Sequence, residues 1–313
     1  EMFSIGSTLE TFFVDPCGTD PADQSETIKA NCADAGPLGV NPGFVQTAPL
    51  ASATFYGNPD LKPEHVSSGA YGISISPTEM FDAIPGRLEL TATWLDFEIS
   101  RMISDPSDTL FDCYSSPGLT GPNCLTNPRT GAPSIARDPS TRQIVSYDSV
   151  LFNGGELDWR GMDFELSYAV QPENLAFADS IWVSVLHTYT DEVVMKQSGS
   201  IQRLDGLLDY PRHRTLASVG MEAGRWSVVA YANRRGKALT ARSARPQARV
   251  PAALYIDLTG RFDVTDNAYL QAGIKNLTDR KPDITAFNEV GNFAPEYYDP
   301  IGRRYTLAFR VNF

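Results

Sequence analysis

Residues 303–313, RRYTLAFRVNF, decide the fold. Taken two at a time, Tyr305, Leu307, Phe309, Val311 and Phe313 fall on one face, and Arg304, Thr306, Ala308, Arg310 and Asn312 on the other. A strict period of two is the pattern of a β-strand with one apolar and one polar side. In a soluble sandwich such an aromatic terminal strand is an edge that invites aggregation. In a lipid-embedded barrel the aromatics face acyl chains and the polar residues face a wet lumen. Closure of the barrel then removes the edge.

The same alternation recurs upstream. Strands are expected at 65–76, 87–103, 148–170, 180–194, 212–223, 225–237, 252–264, 267–278 and 303–313. Most exceed the usual soluble strand and match the ~9–11 residues of a tilted membrane strand. In the seventh, Leu254, Ile256, Leu258, Phe262 and Val264 oppose Tyr255, Asp257, Thr259, Arg261 and Asp263. In 161–170, Met162, Phe164, Leu166 and Tyr168 oppose Asp163, Glu165 and Ser167. The phase of the second strand switches at Trp94–Leu95, which predicts a bulge or a membrane exit there. The connections alternate short and long, as periplasmic turns and extracellular loops do. Residues 1–63 are punctuated by Pro and Gly too often for a long element and read mostly as loop, with weak β character at the start from Phe3, Ile5, Leu9, Phe12 and Phe13 that allows the end of a preceding strand.

Composition agrees with a hidden apolar band. The chain has 313 residues, 11% aromatic, and no apolar run of about 18, so no transmembrane helix is expected. A formal charge of -12 argues against nucleic acid as a partner. No basic-plus-apolar signal opens the chain, and Glu1 begins mid-pattern. Nine strands is odd where bacterial barrels have an even count. The expectation is a segment whose parent barrel continues upstream.

Four cysteines form two close pairs, Cys17 with Cys32 and Cys113 with Cys124, each in a Pro/Gly/Asn/Asp-rich stretch. Two local disulfides of an exported protein are the simpler reading. A zinc site is the rival, but it wants a CxxC knuckle or nearby histidines, and only His65, His187 and His213 exist.

No catalytic constellation appears, whether GxSxG, HExxH, P-loop or GxGxxG in its setting. The chain reads as a non-enzyme with no catalytic residue, metal ligand or cofactor. Asp257 and Arg261 on one face read as lumen-wall ion pairs, Asp163 and Glu165 as lumen wall, and His187 and His213 as ordinary strand residues. Positions 234–249 hold six basic residues and no acidic one. Alternation turns Arg234 outward, towards lipid phosphate as an interfacial cation. It turns Arg235 inward, as a ligand-binding candidate. The loop 279–302 carries Phe287, Phe293, Tyr297 and Tyr298, read as exposed aromatics for ligand capture or as loop self-packing.

Four segments in order give a resemblance. GNPDLKPEHVSSGAYGISISP (57–77), NGGELDWRGMDFELSYAV (153–170), YIDLTGRFDVTDNAYLQAGIKNLTDRKP (255–282) and YDPIGRRYTLAFRVNF (298–313) resemble the TonB-dependent receptors of the bacterial outer membrane. The start, EMFSIGSTLETFFVDPC, also resembles the loop after the mid-barrel strand in some members. The likeness covers essentially the whole chain. It implies an all-β, antiparallel transmembrane barrel of about 22 strands with a plugged lumen. Residues 64–313 would supply the C-terminal part of that barrel, and 1–63 an extracellular loop region. The plug domain and TonB box fall outside this segment. It further implies energy-coupled uptake of a scarce small-molecule ligand: ferric siderophore, cobalamin, haem or oligosaccharide. The lack of a His-rich cluster disfavours haem. Implied partners are the TonB complex acting through the plug, the barrel-assembly machinery recognising Phe313, and outer-membrane lipopolysaccharide. The rival readings are a passive porin and a secreted β-sandwich or adhesin module.

Overall fold

A residue between two antiparallel neighbours must share its face with both of them. That rule carries the alternation from the C-terminal strand across the whole wall. In the computed structural model of the chain, the described residues are 7–21, 24–81, 85–103, 109–121, 124, 126–127, 130–173, 177–197, 200–240, 249–284, 294 and 297–312. Their strands, in chain order, are β1 (Ser7–Phe12), β2 (Leu50–Tyr56), β3 (His65–Ile75), β4 (Arg87–Ile103), β5 (Ile135–Arg137), β6 (Ile144–Val150), β7 (Asn153–Val170) and β8 (Ser180–Gln197). They continue as β9 (Ser200–Arg203), β10 (His213–Ala223), β11 (Trp226–Arg235), β12 (Ala238–Leu239), β13 (Arg249–Val250), β14 (Ala253–Thr265), β15 (Ala268–Lys275) and β16 (Arg304–Val311). Three short helices are α1 (Glu26–Cys32), α2 (Pro77–Met80) and α3 (Thr109–Ser115).

One sheet runs β16-β15-β14-β11-β10-β8-β7-β4-β3, with β9 paired to β8. Its register fixes the faces. Leu270 lies opposite Phe262 and Phe309, Ala272 opposite Gly260 and Leu307, and Ile274 opposite Leu258 and Tyr305. The same row continues through Ala230 opposite Leu258 and Val219, and Val219 opposite Val183. Six strands therefore present one unbroken apolar face. Leu307 is 74% exposed, Phe309 63% and Val219 46%. Leaving such side chains in water forgoes about 1.5–3 kcal/mol each, so this face belongs in lipid. The opposite row is polar: Thr259 lies opposite Val229 and Gly273, and Arg261 opposite Ser227 and Gln271. Long connections follow β4, β8, β11 and β15. Short ones follow β3, β7, β10 and β14, closed by turns such as Gly224, whose φ of 54° suits glycine.

The chain divides into two compact units, one of residues 68–97, 159–193 and 204–313, the other of 1–67, 98–158 and 194–203. The first holds most of the wall just described. Among its described residues Ala238, Val250, Ala253, Ala294, Tyr297 and Tyr298 form a small buried cluster.

The second unit has a four-stranded sheet, β1-β2-β6-β5, in which β2 and β6 are parallel. Its core includes all four cysteines with Leu110, Tyr114, Ile135 and Ile144. Cys17 is bonded to Cys32 and Cys113 to Cys124, so the pairing expected from sequence holds. At the centre Arg137 meets Asp15, both side chains fully buried, at 2.7 and 2.8 Å. The Arg137 Nε also donates to the Tyr114 hydroxyl at 3.0 Å, and that hydroxyl donates to Leu38 O at 2.7 Å. Burial pushes the Tyr114 phenol up to about 12, against the pull of Arg137. A buried guanidinium is tolerable only with this degree of pairing and hydrogen bonding.

This unit refines the reading of 1–63 as mostly loop: β1 falls where Leu9 and Phe12 gave weak β character, while β2 and α1 were not foreseen. The segment holds β1, β2 and α1, whose N-terminus is capped by Ser25 Oγ accepting from Ile28 N. β2 pairs with β6 across some ninety residues, Ser52 opposite Ser146, and no local pattern announces such a partner. The expected strand 148–170 is two, β6 and β7, parted at Leu151–Phe152. β4 runs unbroken through Trp94–Leu95, and its irregular residue is Arg101, with φ of 57°.

Candidate functional site

The polar face of the wall carries a cavity where β11, β14, β15 and β16 meet the last long connection. The register sets Asn233 opposite Tyr255, Tyr231 opposite Asp257, and Lys275 opposite Arg304. Arg235 follows Asn233 on the same face. With Asn276, Tyr297, Tyr298 and Asp299 these side chains line a cavity of about 300 Å³.

The connection is tied to the wall at each turn. The Asp257 carboxylate accepts from Asn276 N at 2.8 Å. Asn276, with φ of 52°, clips the turn through its side chain, accepting from Arg280 N at 2.8 Å and donating to Arg280 O at 3.0 Å. Asp279 accepts from Arg303 N at 3.0 Å, joining the two ends of the loop; that bond, with Lys281 nearby, holds its carboxyl below the usual range. Asp299 N donates to the Tyr255 hydroxyl at 2.9 Å, and the Asp299 carboxylate pairs with Arg304. The Tyr298 hydroxyl reaches Asp283 at 2.9 Å and Pro251 O at 3.0 Å.

Tyr297 is different. It is 2% exposed, packs edge-on to Tyr298 at 5.7 Å, and lies under the Arg235 guanidinium, 5.7 Å from its ring centroid. Among the described residues its hydroxyl has no hydrogen-bond partner, and neither have Asn233 Oδ1 and Arg304 Nε. Burial pushes the Tyr297 phenol up to about 12, with Arg235 opposing. Burial also raises Tyr298, and its bond to Asp283 adds to the rise. A neutral phenol, an amide oxygen and a guanidinium N–H are thus held at one polar surface without partners. Unsatisfied buried polar groups are rare and mark a strain reservoir or a missing ligand or water. The set offers charge and hydrogen bonds and holds no nucleophile–base pair.

Of the residues singled out by sequence, Arg235, Tyr297 and Tyr298 come together here. The two tyrosines are buried, not exposed, because Ala294, Ala253 and Val250 pack round them. Arg234 is on the other face, opposite Thr215 and Leu254. Phe287, Phe293 and Phe313 lie outside the described residues. Asp257 and Arg261 do share the polar face, but Arg261 pairs with Asp263 and stacks 4.0 Å from the Tyr269 ring centroid, so the two are not partners. His187 and His213 stack at 5.5 Å on the apolar side. Asn233, Tyr231 and Arg304 were missed as site residues. Stepping by two back from Arg235 and reading the register of β16 would have found them. Among the described residues no group of three or more His, Cys, Asp or Glu could hold a metal ion.

The family model for the TonB dependent receptor-like β-barrel matches residues 28–277. No match was found among curated proteins. Among solved structures the chain is similar to the ferric enterobactin receptor of Pseudomonas aeruginosa, at 18% identity and a TM-score of 0.55, over 84% of this chain and 33% of that one. A variant of that receptor in complex with enterobactin gives 18% identity and a TM-score of 0.54 over the same shares. The ferripyoverdine receptor of the Pseudomonas aeruginosa outer membrane gives 15% identity and a TM-score of 0.46, over 81% and 28%. The chain thus spans about a third of the length of these structures.

Proposed function

The chain belongs to the TonB-dependent receptor β-barrel family of the bacterial outer membrane, and from that premise we propose that it forms the ligand-capturing wall of an energy-coupled importer. In the full-length receptor the inner-membrane TonB complex would act on a plug domain to release bound ligand inward. The barrel-assembly machinery would recognise β16 by strand pairing.

The observation that carries this reading is the polar cavity, with Arg235 over Tyr297 and three unpartnered polar atoms beside it. A passive conduit has no use for a guanidinium, a phenol and an amide oxygen held ready at one point. The cavity's unpartnered Tyr297 hydroxyl and Arg304 Nε–H are donors, its carboxylates Asp257 and Asp299 are already engaged, and Lys275 adds a cation with no carboxylate partner among the described residues. These groups favour a ligand rich in anionic oxygen, and a ferric siderophore fits better than cobalamin or a neutral oligosaccharide. The enterobactin bound by the structurally similar receptor is of that chemical kind. Phe287 and Phe293, in the same connection as Tyr297, are candidate contacts with the ligand's apolar rim.

The test is uptake of radiolabelled ferric siderophores, a panel of catecholates, hydroxamates and carboxylates, by cells carrying the full-length receptor. Uptake should stop when TonB is deleted or a protonophore is added. Arg235→Gln and Tyr297→Phe should weaken binding of the imported compound by about tenfold each, the worth of a charged or buried hydrogen bond. Accumulation that persists without TonB would make the protein a passive channel.

A further inference from the structure

Two histidines meet across β8 and β10, near the long-connection end of the wall. We propose that they hold a divalent transition-metal ion of the copper, nickel or zinc class. The register sets His213 opposite Tyr189 and His187 opposite Thr215, so the two imidazoles are diagonal neighbours on one face. His213 Nδ1 lies 3.4 Å from His187 Nε2, and the ring centroids are 5.5 Å apart. Two nitrogens bound to one tetrahedral ion at about 2.0–2.1 Å stand about 3.3 Å from each other. The pair thus has the spacing of two metal ligands before any side chain moves.

His187 is oriented for the task. Its Nδ1 is 2.9 Å from Thr215 Oγ1, an outer partner of the kind that fixes a ligating imidazole. With Nδ1 donating to that hydroxyl, Nε2 keeps its lone pair on the side of His213. The His213 ring packs against Tyr189, with centroids 5.2 Å apart, and His187 against Phe164 at 6.3 Å. The backbone beneath is the continuous ladder of β8 and β10, paired from His213–Tyr189 to Glu222–Ser180. Both ligands therefore stand on one rigid element, which suits a site that needs little reorganisation to bind.

The surroundings select the ion. Among the described residues no third His, Cys, Asp or Glu completes a cluster with the pair, so water fills the rest of the shell. Arg234 stands on the same face, opposite Thr215, and Arg212 adjoins His213 in sequence. Arg212 is taken up by Asp205 and by Asp191 O, the latter at 3.1 Å. Cationic neighbours and the lack of a ligating carboxylate disfavour calcium and magnesium, which want oxygen ligands. Neutral imidazole nitrogen suits copper, nickel and zinc, with copper(II) the tightest. His213 and His187 share the face of Ala217 and Val219, whereas Tyr231 and Asn233 of the polar cavity lie with Leu216 and Ser218 on the other. The metal site is therefore separate from the cavity, and the proposal does not depend on which compound the receptor imports.

The experiment titrates copper(II) chloride into the purified, tag-free full-length receptor in nanodiscs, stripped beforehand with chelator, and follows it by electron paramagnetic resonance. The expected result is a bound copper(II) signal split by two imidazole nitrogens. His213→Gln should abolish that pattern and weaken binding by more than the ~100-fold that loss of an outer partner can cost. His187→Gln should do the same, which keeps the test open if one variant fails to fold. Thr215→Val removes only the outer partner, and should keep the two-nitrogen pattern while weakening binding by about 10–100-fold. His65→Gln, at the chain's remaining histidine, should change nothing. Heat-modifiable migration checks that each variant is folded. A wild type without a two-nitrogen signal, or a signal that survives unchanged in folded His213→Gln or His187→Gln, would overturn the proposal.

Discussion

In the wall, Leu307 is 74% exposed and Tyr305 70%; in the disulfide-bonded unit, Cys113 and Tyr114 are 0% exposed. The wall is a ladder of backbone hydrogen bonds whose side chains mostly face outward to lipid or inward to water. The other unit is organised round a buried core, a buried ion pair and two cross-links, like a small exported domain. The wall can be described by one rule repeated, whereas the other unit depends on particular side chains meeting across the chain. Substitutions should therefore act in opposite ways: by face in the wall, and by partner in the disulfide-bonded unit.

The largest effect is expected from Arg137→Met. It strands Asp15 without its partner in a dry core, which costs about 3–5 kcal/mol. Hydrogen exchange should show lost protection through β5, β6 and α3, with the amides of β14 and β15 unchanged. Equal loss in the wall would break the comparison. Next is the pair Leu258→Arg and Thr259→Arg, neighbours in sequence on opposite faces. The first should cost about 2–4 kcal/mol in refolding into lipid vesicles, and the second less than about 0.5 kcal/mol. Equal costs would mean that the faces are misassigned.

A finer contrast lies within the wall. A Cβ on Gly220 would come within 2.2 Å of the Trp182 ring, whereas on Gly260 its nearest neighbours are 4.0 Å away. Gly220→Val should cost about 1–3 kcal/mol through overpacking, and Gly260→Val should be close to neutral in the same assay. The smallest effect concerns Tyr297. Its phenol is raised to about 12 by burial, above the ~10 of an unfolded chain. The unfolded form ionises first as pH rises, so the stability associated with the neutral phenol is intact below about pH 10 and is lost between there and about 12. Tyrosinate absorbance of the wild type minus Tyr297→Phe should show that late step. A difference curve centred near 10 would place the side chain in water.

Sequence made the wall legible because its information is local. From Tyr305, Leu307 and Phe309 the face of every paired residue follows by counting. Arg234 and Arg235 fall on opposite faces for the same reason. The disulfide-bonded unit was illegible beyond its cysteine pairs. Its parallel β2–β6 pairing and the Asp15–Arg137 contact, 122 residues apart, depend on loop closure that no periodicity encodes. The site lay between these cases. Arg235, Tyr297 and Tyr298 could be named, but the burial of the tyrosines comes from Ala253, Val250 and Ala294, small residues that read as nothing in a loop.

The central claim is that one face of this ladder meets lipid and the other water. It is tested most directly by nitroxide accessibility along β14, placing a single label at each position from 254 to 262 in the full-length receptor in bilayers. Oxygen, which concentrates in lipid, should relax the label most at 254, 256, 258, 260 and 262. A water-soluble nickel chelate should do so most at 255, 257, 259 and 261. A profile without alternation, or with its phase reversed, would contradict the account.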